Sequence, residues 1–93
     1  MTYIRELAES IRNEVDVGQI PDDADVLFLL YAVLARTKGA QVTAPDGHDA
    51  WAAWKEICGA EHESAVPFEE LAEHVQAEDQ PFVDAIHRAI AQS

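Results

Sequence analysis

The side chains of this 93-residue sequence that could do chemistry are four histidines, one cysteine, two tryptophans and a surplus of carboxylates. His48, His62, His74 and His87 follow one another at intervals of 14, 12 and 13 positions. None belongs to a His-x-x-x-His pair, the spacing that puts two metal ligands on one helix face. Glu73 and His74 are neighbours and point apart on a helix. A metal site would have to be assembled from distant segments, so none is expected. A nucleophilic Cys58 would need a nearby base and a lowered pKa. Its acidic surroundings push the other way, and it reads as a small apolar group on the tryptophan face. Carboxylate pairs of the glycosidase type arise by chance among 18 acids. The glycines at 18, 39, 47 and 59 are scattered and form no phosphate-cradling loop. The expectation is a protein that is not an enzyme and carries no cofactor.

Trp51 and Trp54 are the most informative aromatics. One reading packs them into the core beneath the last helix. The other lets one ring line a groove where a flat molecule stacks. Arg36, Lys38, Lys55 and Arg88 are the cations of the later chain. Two of them converging on the tryptophan face would hold an anionic ligand there, because a local pocket outweighs distant, screened charge. The candidate ligand-binding residues are therefore Trp51, Trp54, Lys55, Phe68 and Arg88.

Charge sets a second expectation. The formal net charge is −12, which argues against nucleic acid or an anionic membrane as a direct partner. Residues 1–55 carry nine acids and five bases; residues 56–93 carry nine acids and one base. From Glu56 to His87 there is no Lys or Arg. This half is either a solvated face or a surface for a basic protein partner. Its candidate contact residues are Glu61, Glu63, Glu69, Glu70 and Glu73. No apolar run reaches the roughly 20 residues of a membrane span. The N-terminus lacks a signal-peptide pattern, and a lone cysteine suggests no oxidising compartment. A cytoplasmic location is expected.

These residues need helices to position them. Ile4, Leu7, Ala8, Ile11 and Val15 form one apolar stripe over about residues 3–15, with Thr2 as cap. Asp22 or Asp23 opens a second helix that is apolar on almost every face, and so central and buried. Gly39 suits its end. Thr43 and Asp46 read as a capping box for a third helix that runs to about Ile57 and ends at Gly59. Residues 59–66 form a loop, and Pro67 starts a short turn or helix. Asp79 caps a last helix, with Pro81 in its first turn. The fold class is all-α: a single small helical domain, residues 1–93, of four to five helices with a buried central second helix. Trp51, Trp54, Phe68 and Phe82 should lie in or beside the core.

The second half carries a resemblance. His48-Asp-Ala-Trp51-Ala-Ala-Trp54 is followed by Val66-Pro67-Phe68-Glu69-Glu70-Leu71, then by Asp79 and a Phe82–Ile86–Ile90 helix. Over about residues 46–91 this resembles the ryanodine-receptor repeat domain. The whole chain also resembles small proteins of actinobacteria and their phages. The resemblance divides the chain into a helical pair, 1–44, and a repeat-like half, 45–93. It implies a structural role for His62 in its loop. It also implies recognition of small, nucleotide-like signals in a phage or bacterial defence setting.

Two functions are compatible with these readings. One is a protein-interaction or inhibitor module that docks a basic partner through its acidic half. The alternative is a protein that binds or sequesters a small nucleotide-like ligand. The oligomeric state stays open.

Overall fold

The computed structural model describes residues 2–92. The first helix, α1, spans Tyr3–Asn13, where the Arg5 amide donates to the Thr2 hydroxyl at 3.2 Å. A 3-10 turn at Val17–Gln19 leads into Pro21. Helix α2 spans Asp25–Lys38. It starts later than the expected Asp22–Asp23 cap, because Asp23 takes a positive φ of 54° and breaks the helical path there. Its cap position is Ala24, which contributes no side-chain hydrogen bond.

Helix α3 spans Ala44–Ile57. The Thr43 amide donates to Asp46 Oδ2 at 2.9 Å, and the Thr43 hydroxyl donates to the same oxygen at 3.0 Å. Lys38 reaches Asp46 from α2 at 2.7 Å, and this hydrogen bond holds the Asp46 carboxyl below the usual carboxylate range. The far end of α3 closes with a paired cap: Ala60 N–H to the Lys55 carbonyl at 3.0 Å, and Gly59 N–H to the Glu56 carbonyl at 3.1 Å. A 3-10 turn at Phe68–Glu70, a one-turn α4 at Glu73–Gln76 and a second 3-10 turn at Ala77–Asp79 follow. Helix α5 spans Gln80–Ala91, with Pro81 in its first turn.

Helix α2 is central and packs against α1, α3 and α5. Leu27, Phe28, Tyr31 and Ala32 are almost fully buried along it, and Val26 and Val33 face outward. Ile11 from α1 and Val83, Ala85 and Ile86 from α5 complete the core. Helix α3 crosses α5 closely at Gly47, where a Cβ would stand 3.2 Å from a Val83 methyl. Arg88 joins α5 to the end of α1 through the Glu14 carboxylate at 3.1 Å and the Glu14 carbonyl at 2.6 Å. Among the described residues no helix is long and apolar enough to cross a membrane.

Helix α2 ends because Gly39 adopts φ 55°, ψ −129°, where an added Cβ would meet nothing within 4 Å beyond its chain neighbours. Gly39→Ala should therefore cost about 1–3 kcal/mol through backbone strain alone. Urea denaturation checks this; an unchanged midpoint would show that the turn tolerates a Cβ.

Candidate functional site

The sequence places His48, Trp51 and Lys55 at spacings of three and four on α3, so they share one face, with Trp54 beside them. The fold turns that face toward the start of α5. Between them lies a cleft of about 290 Å³, whose lining includes Tyr31, Trp51, Trp54, Lys55, Glu78 and Asp79. Its volume is at the small end of the about 300–1,000 Å³ usual for ligand pockets.

His48 anchors the cleft wall. It is 3% exposed. Its Nε2 donates to the Val66 carbonyl at 2.7 Å, which ties the 59–66 loop to α3. Because a carbonyl only accepts, Nε2 carries a hydrogen. His48 Nδ1 lies 3.4 Å from Asp79 Oδ2. With Nε2 already protonated, favourable contact there needs one more proton, held by either Nδ1 or the carboxyl. Burial pushes the Asp79 carboxyl up from the usual carboxylate range, while His48 draws it partly back. Tyr31 lies beneath, and burial, reinforced by the Asp79 charge, makes its hydroxyl a weaker acid than free tyrosine.

The aromatic wall is continuous. Trp51 stacks on His48, with ring centres 5.5 Å apart and planes at 23°, and meets His62 edge-on at 5.1 Å. His62 Nδ1 accepts from the Ser64 amide at 3.0 Å, which steadies the loop. The Lys55 amine lies 5.6 Å from the centre of Trp51 and 4.8 Å from that of Trp54. Among the described residues Lys55 forms no ion pair. Trp54 is 5% exposed. Its indole N–H is, among the described residues, the buried side-chain polar atom left without a hydrogen-bond partner.

Of the ligand candidates, Trp51, Trp54 and Lys55 come together in this cleft. Phe68 does not line it; its ring packs on His48 at 6.0 Å and supports the wall. Arg88 is turned away, because its guanidinium is committed to Glu14. Arg36 lies over Tyr3 at 5.2 Å, and Lys38 is paired with Asp46. Of the four later cations only Lys55 stands at the tryptophan face, so the convergence of two that an anionic ligand would need is not found among the described residues. Asp79 makes no side-chain cap for α5, because its carboxyl turns to His48. Cys58 is exposed, as is Ile57, because the last turn of α3 runs past the packed core. Glu61, Glu63, Glu69, Glu70 and Glu73 are all exposed. Among the described residues no group of three His, Cys, Asp or Glu side chains is placed to hold a metal ion.

Sequence reasoning missed His48, Tyr31 and Asp79 as cleft residues. The signal for His48 was its helical register with Trp51 and Lys55. Nothing local signals Asp79, which lies 31 positions from His48.

The family model described as "Domain of unknown function (DUF7701)" matches residues 2–91. The chain belongs to this family. The match corrects the ryanodine-receptor resemblance, since this is the family found over residues 2–91 and no ryanodine-receptor repeat is found. The Val66–Leu71 motif that suggested it is a proline-started 3-10 turn with a half-buried aromatic. Neither a curated protein nor a solved structure matches the chain.

Proposed function

We propose that this member of the DUF7701 family is a non-enzymatic binding module whose site is the aromatic cleft between α3 and the start of α5. A small planar molecule stacks there against the tryptophans. The observation that carries this reading is the unpartnered Trp54 N–H in the lining of the cleft. A buried donor left unsatisfied costs about 1–3 kcal/mol, so it calls for an explanation. A ligand acceptor supplies one, and the surrounding rings supply stacking area.

Thermal denaturation against a panel of planar metabolites tests this. A ligand at 100 times its Kd adds about 2.7 kcal/mol, which raises the Tm of a domain this size by about 10 °C or more. Trp51→Ala, first shown to melt cooperatively, should abolish that rise. No shift with any planar compound would reject the reading.

The exposed carboxylates support a second reading, docking of a basic partner. Glu61, Glu63, Glu69, Glu70 and Glu73 form no ion pair among the described residues, and Arg12, Lys38 and Arg88 are spent on Asp25, Asp46 and Glu14. Association by this route should weaken steeply with salt. It is rejected if neutralising Glu69, Glu70 and Glu73 together leaves capture of a polylysine probe unchanged.

A further inference from the structure

The polar groups of the cleft define the chemistry of its ligand. Helix α3 contributes two donors without acceptors among the described residues, the Trp54 indole N–H and the Lys55 amine. The turn before α5 contributes the carboxyls of Glu78 and Asp79. An anion would find Lys55 as its one countercharge, and would face two carboxyls and a chain of net charge −12. A simple cation would be repelled by Lys55, which already occupies the cation–π position over both indoles. A flat hydrocarbon would leave the Trp54 N–H unpaired. An uncharged ring with an acceptor on one edge and an N–H on another satisfies every group.

We propose that the cleft binds an uncharged planar nitrogen heterocycle of the nucleobase or cyclic-amide class, and that it rejects phosphorylated forms. This rests on the cleft being a ligand site, and it names the ligand's chemistry. The ring lies against Trp51, its carbonyl or ring nitrogen accepts from Trp54 and Lys55, and its N–H donates to Glu78 or Asp79. Trp54 Nε1 exposes under 1 Å² of surface, so contact with the acceptor requires local movement of the cleft wall, of which Lys55, with its amine 4.8 Å from the Trp54 ring centre, is a part. The 290 Å³ of space accommodates a ring system and leaves little for a tail. A ribose would project through the mouth, where a phosphate would gain no second cation. The sequence offers no glycine loop to hold one.

Isothermal titration of the intact chain with uracil, hypoxanthine, their nucleosides and their 5′-monophosphates tests this, with indole as a flat ring that has no acceptor. At least one base or nucleoside should bind, with its monophosphate at least tenfold weaker and indole weaker still. Trp54→Phe keeps the ring and removes the donor, and should weaken the base about tenfold. A monophosphate or indole that binds as tightly as the base overturns the proposed class. Failure of every base and nucleoside also overturns it, while a planar compound that still raises Tm in a Trp51-dependent way would leave the cleft standing as a site. Binding that survives Trp51→Ala overturns the cleft itself.

Discussion

Phe28→Ala should cost this domain about 3–5 kcal/mol, a large share of the about 5–15 kcal/mol that keeps a small domain folded. Phe28 is 2% exposed. Its ring meets Tyr31 edge-on at 5.6 Å and lies 6.4 Å from Phe82, and the Arg12 guanidinium sits 5.5 Å from its centre. It thus joins α1, α2 and α5. The three helices cannot all collapse into the space left, so the cavity term adds to the lost transfer energy. The damage should reach the cleft, because Tyr31 and Phe82, whose rings stack at 5.6 Å, both line it. Val33→Ala on the same helix is the control: Val33 is 47% exposed and should change stability by about 0.5 kcal/mol or less. Urea denaturation of the pair checks this. Equal losses at the two positions would contradict the orientation of α2.

Asp79→Ala should cost about 1–3 kcal/mol, the penalty for leaving a buried polar atom without its partner. It leaves His48 Nδ1 facing an empty site while Nε2 stays tied to Val66. Asp79→Asn should lose much less, because its amide N–H can donate to Nδ1 without any added proton. The pH dependence separates these two cases. In the unfolded chain Asp79 titrates near the ordinary value of about 3.9. In the fold, burial makes it hold its proton to higher pH. Between those values the folded state binds more protons than the unfolded one, so stability falls as pH rises through that window. Below the unfolded value the contribution is fully present. The Asp79→Asn variant has nothing to titrate there, so the wild-type slope should flatten. Urea midpoints measured from about pH 4 to about pH 7 read this directly. An identical slope in both proteins would show that the carboxyl is not raised.

Much of the fold was legible from local rules. The Thr2 cap, the Thr43–Asp46 capping interaction, the Ile57 end of α3 and the first-turn Pro81 each depend on residues within a few positions of one another. The start of α2 was misplaced because two acids look like a cap, while the backbone at Asp23 takes a positive φ. The cleft was only half legible. Trp51, Trp54 and Lys55 share one helix, so their register brings them together. Asp79 resembled an ordinary cap, and its partnership with His48 is a tertiary fact. Arg88 looked available until α1 and α5 met at Glu14. With those cations committed elsewhere and a buried, unpaired indole N–H on a residue of the cleft wall, we put small-molecule binding ahead of acidic-face docking.

The two indole N–H resonances of a ¹⁵N–¹H correlation spectrum, assigned with Trp51→Phe, give the most direct test of the cleft as a ligand site. Titration with the tightest planar compound should move the Trp54 resonance downfield and saturably, because its donor gains an acceptor. A planar compound that binds while the Trp54 resonance stays fixed would contradict the account.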